Sequence, residues 1–201
     1  MSKAKAPSGK TAHVDRFAAD NLPPKSAWPD IDYSRLPELA ALPDRINCAT
    51  ELLDNQAAIN RDARAVFDDT ISWSYSELLT QANRIANFLV NDLGIRPGNR
   101  ILLRSGNNPM YAACWFAVMK VGAIAVATMP LLRSRELTYI ADFAQVQIAL
   151  CDEKLTTELQ QTMEESKYLQ EIICFNCINE DGLESRSAGK PGSFENIDTA
   201  A

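Results

Sequence analysis

The stretch from Ala112 to Leu137 constrains the fold more than any other part of the chain. Its apolar residues almost reach the length of a membrane-spanning helix, but Lys120 and Gly122 interrupt them. A membrane helix needs about 20 consecutive apolar residues, so we interpret the stretch as two shorter elements and predict no membrane span. Asn108 and Pro109 are typical of a helix start, and Gly122 is expected to end that helix. The AIAVAT that follows is typical of a strand buried on both faces.

Helices and strands alternate along the middle of the chain. Ser74 and Glu77 form the capping-box pattern of a helix start, and apolar residues follow at helical spacing until Gly94. Ser134 is predicted to cap another helix, and residues 155–166 a further one. The segments between them with the composition of buried strands are RILLR, VQIALC and EIICF. This alternation predicts an α/β domain, with a mostly parallel sheet covered by helices.

Two shorter elements precede these. The sequence NCATELLDNQAAI predicts a helix capped by Asn47. The residues expected on its buried face are Ala49, Leu52, Leu53 and Ile59. The sequence AVFDDTISWSY predicts a hairpin with Asp68 and Asp69 in its turn. We expect these two carboxylates to point apart into water and not to share a metal ion.

The chain divides into three predicted parts. Residues 1–45 are rich in proline, which removes a backbone donor and prevents long helices. We expect this arm to begin with a mobile segment and then to wrap over the surface, with Trp28 and Tyr33 as anchors. Residues 46–176 form the α/β subdomain. Residues 177–201 have no periodicity and are expected to be a loop or linker tail at which the chain looks cut.

Charge and cysteine content exclude several classes of protein. The net charge of −6 disfavours a nucleic-acid binder. Five cysteines without a secretory signal indicate the reduced thiols of a cytoplasmic protein. The motif CFNC, from Cys174 to Cys177, could be half of a zinc site or a redox pair. However, His13 is the only histidine, no second ligand pair accompanies it, and the motif ends a predicted strand and does not begin a helix. We favour small buried side chains.

The loop MPLLRSR, after the predicted strand AIAVAT, is the best candidate for a binding site. Ligands of open α/β sheets bind beyond the carboxyl ends of the strands. Arg133 and Arg135 flank a helix start, where guanidinium groups and backbone N–H donors could hold a phosphate. Alternatively, both arginines are solvated or pair with acids such as Glu136. The sequence has no glycine-rich nucleotide motif, and a triad built on His13 has little support. The residues alone therefore predict a soluble α/β domain without a complete catalytic apparatus.

Longer segments of the sequence resemble a known family. The stretch from WSYSELLTQ to PLLRSREL resembles the beginning of adenylate-forming acyl-CoA ligases. The segment SYSEL, from Ser74 to Leu78, stands at the first core motif of that superfamily. The segment MKVGAIAVATMPL, from Met119 to Leu131, stands at the second. The segments HVDRFAADNLPPKSAWPD and LPDRINCATELLD are similar to aryl-CoA ligases of the benzoate group. The resemblance implies the N-terminal part of the large domain of such an enzyme.

This resemblance implies a two-step reaction with ATP, Mg²⁺ and CoA. A carboxylate, here 2-aminobenzoate or benzoate, attacks the α-phosphate of ATP, which gives an acyl-adenylate and releases pyrophosphate. The thiolate of CoA then displaces AMP. The phosphate loop, adenine motif, hinge and adenylation lysine of the family do not occur in the 201 residues. The resemblance thus implies a fragment that is inactive alone and that exposes apolar surface or an open strand edge, and it assigns no catalytic or metal-binding residue.

One set of site residues can be carried over from the resemblance. In relatives, the loop after the second motif lies along the CoA channel. This implies that Met129, Pro130 and Leu131 lie near CoA, with Arg133 and Arg135 reaching its phosphates. A stand-alone CoA- or nucleotide-binding module or a scaffold protein without catalysis remains the alternative, and a homodimer is left open.

Overall fold

The computed structural model describes residues 11–30, 32, 35–41, 43 and 45–200. The predicted mobile start at residues 1–10 and the anchor at Tyr33 lie outside these residues. The helices are α1 Phe17–Asp20, α2 Pro37–Ala40, α3 Asn55–Ile59, α4 Tyr75–Asn91, α5 Pro109–Lys120, α6 Ser134–Phe143, α7 Thr156–Glu165 and α8 Leu183–Ala188. The strands are β1 Arg45–Ile46, β2 Arg64–Phe67, β3 Ser72–Ser74, β4 Arg100–Arg104, β5 Ile124–Thr128, β6 Ile148–Asp152, β7 Glu171–Phe175 and β8 Thr199–Ala200. A π-helical turn, Thr50–Asp54, leads into α3, and short 3₁₀ turns lie at Lys25–Ala27 and Glu153–Leu155.

A four-stranded parallel sheet organises the fold, in the order β5-β4-β6-β7. Two hydrophobic clusters cover its faces. The first joins α4, α5 and α8 to Ile101, Leu103, Leu150 and Ile173. The second joins α6 and α7 to Leu102, Ala149 and Cys151. Adjacent strand residues point to opposite faces, so Ile101 and Leu102 serve different clusters. The predicted α/β architecture with a mostly parallel sheet is confirmed.

The long apolar stretch breaks where the sequence predicted. Helix α5 starts after Asn108, whose side-chain oxygen accepts from the N–H of Tyr111 at 2.9 Å. It ends at Lys120, and Gly122 then adopts a φ of 67°, which only glycine takes without strain. Strand β5 follows from Ile124. Across the part of the chain that the structure describes, no helix has the length and hydrophobicity needed to cross a bilayer.

Helix α4 forms as its sequence predicts. The N–H of Ser74 donates to the Glu77 carboxylate at 2.8 Å, and the N–H of Glu77 donates to the Ser74 hydroxyl at 3.3 Å. This reciprocal pair satisfies backbone donors that the helix itself leaves free. Gly94, just beyond the helix end, has a φ of 64°. The apolar side chains of α4 with little or no solvent exposure are Leu78, Ala82, Ile85, Ala86, Phe88 and Leu89.

Two local predictions need correction. Asn47 does cap the helical segment before α3, but its buried face consists of Ala49, Leu53 and Ala57. These are four residues apart, whereas Leu52 and Ile59 point to solvent. In α6, Ser134 is the first helical residue, and Arg133 occupies the cap position that we predicted for Ser134.

The N-terminal arm is docked on the domain through residues that the sequence analysis did not single out. Asp15 forms an ion pair with Arg100, and the N–H groups of Val14 and Asp15 donate to the carbonyl of Pro97. Gly98 lets the arm approach, because a Cβ at this position would lie 2.3 Å from the carbonyl oxygen of Asp15. Trp28, predicted as an anchor, is 42% exposed and donates only within the arm, to the carbonyl of Pro23.

The C-terminal segment, predicted as a loop or linker, includes two short elements, helix α8 and strand β8. Helix α8 places Leu183 in the first core cluster without solvent exposure, and β8 pairs antiparallel with β1. The side-chain amide of Asn47 donates to the carbonyls of Met119 and Ile197, each at 2.8 Å. The last segment is therefore attached to both the N-terminal part and α5. The missing periodicity of the sequence reflects the short length of these elements and the polar side chains between them.

The structure also has open edges and exposed apolar side chains. Within the described residues, β5 pairs only with β4 and β7 only with β6. The large apolar side chains that are more than half exposed include Leu52, Ile59, Phe67, Met129, Leu131, Tyr139, Phe143 and Ile178. The rings of Tyr139 and Phe143 stack on the outer side of α6, with centroids 5.8 Å apart. These features agree with the expectation of apolar surface and an open strand edge.

Candidate functional site

The carboxyl ends of the four parallel strands form one edge of the sheet. Strand β4 is followed by α5, on the first face, whereas its neighbour β6 is followed by α7, on the second face. This reversal between adjacent strands is a topological switch point, where ligands of open α/β sheets bind. The loop that the sequence predicts as a site, after β5, lies at this same edge.

A polar cluster fills the switch point. The Asp152 carboxylate accepts from the side-chain amides of Asn176 at 2.7 Å and Asn108 at 3.2 Å, with the Ser105 hydroxyl at 3.4 Å. Its other oxygen accepts from the N–H of Lys154 at 3.1 Å. Asp152 therefore ties together the ends of β4, β6 and β7. Its buried carboxylate is fully hydrogen-bonded, as a charge in that position must be.

Next to this cluster lies a second acidic side chain, Glu184. One of its oxygens accepts from the N–H of Asn176 at 2.6 Å, and the other is buried without a partner among the described residues. Burial raises the pKa of Glu184, and the neighbouring carboxylates of Asp152 and Glu153 raise it further. The backbone N–H donors oppose this rise only in part. The region thus places Glu184, a carboxyl group with a raised pKa, beside the hydrogen-bonded carboxylate of Asp152.

The loop after β5 is held by a buried arginine. Arg104, with 1% exposure, donates from its guanidinium to the carbonyls of Met129 at 2.9 Å, Pro130 at 3.0 Å and Leu132 at 2.8 Å. Its Nε also donates to the carbonyl of Leu155 at 3.3 Å. The loop therefore turns its carbonyl groups inward. Its side chains of Met129 and Leu131 point outward, with exposures of 62% and 79%.

At the start of α6, carboxylates of the chain itself accept hydrogen bonds from the backbone N–H groups. The N–H of Arg133 donates to the Glu136 carboxylate at 3.1 Å, and the N–H of Ser134 donates to Glu158 at 2.8 Å. The guanidinium of Arg133 pairs with the same Glu158 at 3.0 Å. The N–H of Ser134 and the Arg133 side chain lower the pKa of Glu158. These carboxylates take the donors that a phosphate would need.

Arg135 differs from Arg133. It is exposed, and within the described part of the chain it makes no hydrogen bond or ion pair. The structure thus brings all five residues predicted to bind CoA to the strand end, but it leaves only Arg135 with an uncommitted charge. The predicted alternative, pairing with a nearby acid, holds for Arg133. CoA binding by the five residues remains a prediction.

The cysteines have no reactive environment. All five are free thiols, and Cys114 and Cys151 are buried in the two core clusters. Burial raises the pKa of Cys151 to about 12 and raises those of Cys174 and Cys177 as well. Cys174 lies within β7, as predicted, and not at a helix start. A thiol with a raised pKa is a poor nucleophile and a poor metal ligand.

A resident magnesium ion would need oxygen ligands that lie close together. No group of three or more histidine, cysteine, aspartate or glutamate side chains within them could hold a metal ion. Asp68, in the hairpin turn, accepts instead from the N–H groups of Thr70 and Ile71 at 2.8 Å each. The described residues therefore do not fit a resident metal ion.

Sequence reasoning missed the two side chains that organise this edge. Arg104 ends the apolar strand RILLR, and Asp152 directly follows the apolar VQIALC. A charged residue at the end of a buried strand must find partners there. That signal was present in the sequence for both residues, but their partners are backbone carbonyls and amide side chains with no sequence pattern of their own.

Comparisons with known proteins identify relatives. The family described as AMP-binding enzyme matches residues 53–197. The chain is 24% identical to the benzoate–CoA ligase of Thauera aromatica over 165 residues, which cover 82% of this chain and 31% of the relative. It is 33% identical to a crotonobetaine/carnitine–CoA ligase of Escherichia coli over 116 residues, which cover 56% of this chain and 22% of the relative. The chain thus spans about a third or less of the length of these relatives.

Solved structures have the same fold. An anthranilate CoA ligase, AuaEII, in complex with anthranoyl-AMP has a TM-score of 0.74 and 20% identity, over 80% of this chain and 30% of that one. The N-terminal domain of FACL13 from Mycobacterium tuberculosis has a TM-score of 0.64 and 18% identity, over 73% of this chain and 37% of that one. The resemblance predicted from the core motifs is confirmed. Because the family match covers well over half of its residues, the chain belongs to the AMP-binding enzymes.

Proposed function

We propose that the protein is the N-terminal part of an ATP-dependent aryl-CoA ligase, which converts a carboxylate, ATP and CoA into acyl-CoA, AMP and pyrophosphate. The observation that carries this proposal is the family match over residues 53–197. The relatives named as benzoate–CoA ligase and crotonobetaine/carnitine–CoA ligase support the acid–thiol ligase class.

An aromatic acid, 2-aminobenzoate or benzoate, is the proposed substrate. The support comes from the names of two relatives: one is a benzoate–CoA ligase, and the other is a ligase for anthranilate, which is 2-aminobenzoate. We also propose a cytoplasmic site of action, where the five free thiols stay reduced. Mg²⁺ is proposed to enter as the complex with ATP and not through a site within the described residues.

The proposed contribution of this chain is to bind CoA at the carboxyl edge of the sheet. Met129, Pro130 and Leu131 would contact the ligand, and Arg135 would reach a CoA phosphate with its unpaired guanidinium. Arg133 would act more weakly, because a ligand phosphate has to compete with Glu158 for it. Adenylation is assigned to parts of the relatives beyond the third of their length that this chain spans.

A chimera tests the ligase assignment. This chain would replace the matching 31% of the Thauera aromatica enzyme, and circular dichroism would establish that the product is folded. We expect ATP- and CoA-dependent formation of an aryl-CoA from benzoate or 2-aminobenzoate. A folded chimera that forms neither thioester would contradict the assignment, and activity with only one of the acids would identify the substrate.

Assays of the isolated chain test whether it binds CoA without catalysing adenylation. We expect no substrate-dependent exchange of pyrophosphate into ATP, and such exchange would refute the proposed inactivity of the chain alone. In equilibrium dialysis we expect CoA to be retained by the wild type. The variant Arg135→Gln should bind several-fold more weakly, and Arg133→Gln should be closer to the wild type. CoA binding together with an inactive chimera would favour the stand-alone binding module.

A further inference from the structure

Arg104 is a buried cation without an acidic partner. Its side chain is almost fully excluded from water, and within the described residues it forms no ion pair. Four of its N–H donors are instead directed at backbone carbonyls, three of them in the loop formed by residues 129–132 and one at Leu155. This arrangement connects the loop after β5 with the turn after β6.

The chemistry of this contact requires a guanidinium group. Taking a charge out of water is unfavourable unless its donors find acceptors. Arginine has five N–H donors in a planar fork, whereas lysine has three donors on a single nitrogen. The carbonyl of Met129 accepts from Nη1, those of Pro130 and Leu132 accept from Nη2, and that of Leu155 accepts from Nε. A lysine at this position could not reach all four.

The inward carbonyls determine what the loop presents outward. Three of its carbonyls face Arg104, and its exposed outer surface includes the apolar side chains of Met129, Pro130 and Leu131. A turn hydrogen bond from the N–H of Leu132 to the carbonyl of Met129, at 3.2 Å, closes the same conformation. The nearest charge in the sequence, that of Arg133, is already paired with Glu158.

We propose that Arg104 is a positioning residue, which holds the loop 129–132 so that Met129 and Leu131 form an apolar contact for the uncharged arm of the ligand. The identity of that ligand as CoA rests on the proposed function. The ordering of the loop by Arg104 does not rest on it. The two parts can therefore be tested separately.

Hydrogen exchange tests the ordering of the loop. In Arg104→Lys and in Arg104→Ala we expect the Leu132 amide to exchange at least about 10-fold faster, with little change in the core of α4. Arg100→Lys is the matched control, since Arg100 is an arginine at the other end of the same strand whose side chain is only 9% exposed. It should leave the Leu132 amide unchanged. Low, non-denaturing concentrations of methylguanidinium should restore protection in Arg104→Ala, and methylammonium should not.

Equilibrium dialysis with CoA and with pantetheine tests the contact of Met129 and Leu131 with the ligand. We expect Arg104→Lys to weaken the binding of both ligands at least about five-fold, and Arg100→Lys to leave it unchanged. Unchanged exchange of Leu132 in both Arg104 variants would overturn the proposal. Faster exchange with undiminished affinity would overturn the contact with the ligand arm. If the wild type binds neither ligand, the CoA assignment of the proposed function fails, while the exchange result still decides the role of Arg104.

Discussion

The ammonium group of Lys120, which has no solvent exposure, lies 2.6 Å from a carboxylate oxygen of Asp54. Asn196 adds a second acceptor at 3.2 Å. Burial lowers the pKa of Lys120, and the contact with Asp54 opposes that change. This ion pair joins the π-helical turn before α3 to the end of α5.

Removal of the acid from this pair should be strongly destabilising. We expect Asp54→Ala to lower the free energy of unfolding by about 3 kcal/mol, because it leaves a buried cation with a single neutral acceptor. Urea denaturation measures this change. Asp69→Asn, at an exposed carboxylate in the hairpin turn, is the control and should have almost no effect. Equal stability of Asp54→Ala and the control would show that the ion pair does not stabilise the fold.

Alanine substitutions at two glycines distinguish the cost of backbone strain from the cost of a steric clash. Gly94 has a φ of 64° and open space around it, so Gly94→Ala should cost about 1 kcal/mol of stability. Gly98 has a φ of 90° and lies against the carbonyl of Asp15. Gly98→Ala should therefore cost more than about 2 kcal/mol and should also displace the arm. Urea denaturation and limited proteolysis of residues 13–17 check both effects. An arm that stays protected in Gly98→Ala would contradict the close approach.

The docking of the arm should depend on pH. Burial raises the pKa of Asp15, but the N–H of Phe17 and the side chains of Arg100 and Asn99 lower it by more, so the net pKa is below 3.8. A carboxylate with a lowered pKa in the folded state contributes stability above its ordinary pKa, and this is lost as the pH falls through the folded value. We expect the side-chain amide signals of Asn99 to shift below pH 3.8 in an NMR titration. Asp15→Asn should abolish this transition, and a midpoint above 3.8 in the wild type would contradict the lowered pKa.

The C-terminal helix should contribute to stability as a core element. Leu183 has no solvent exposure, so Leu183→Ala should lower the free energy of unfolding by about 3 kcal/mol. Ile178, which is fully exposed between β7 and α8, is the matched control. Ile178→Ala should change stability by less than about 0.5 kcal/mol. A small effect of Leu183→Ala in thermal and urea unfolding would mean that the segment is not part of the cooperative unit.

The sequence predicts the central architecture because its elements carry strong local signals. The capping box at Ser74, the cap at Asn108 and the break at Gly122 each act within a few residues. The docking of the arm through Asp15 and of the last segment through Asn47 depends on partners up to 150 residues away. No local pattern encodes such contacts, which explains why the arm was predicted to dock through Trp28 and Tyr33 and the tail was predicted as a loop or linker.

The candidate site was predicted in position but not in detail. The basic loop lies at the carboxyl edge of the sheet, as the rule for open α/β sheets requires. Whether Arg133 was free could not be read from its neighbours, because its acid, Glu158, comes from another helix. Similarly, the role of Arg104 depends on carbonyls, which every residue possesses. Only the three-dimensional arrangement distinguishes these partners.

The border strand β5 has a practical consequence for anyone handling the protein. Within the described residues β5 pairs with no strand on its outer side, and an unpaired edge can accept an extended polypeptide. We expect concentrated samples to associate through main-chain hydrogen bonds at this edge, and a lysine in place of Ala127, which is exposed, should keep them dispersed.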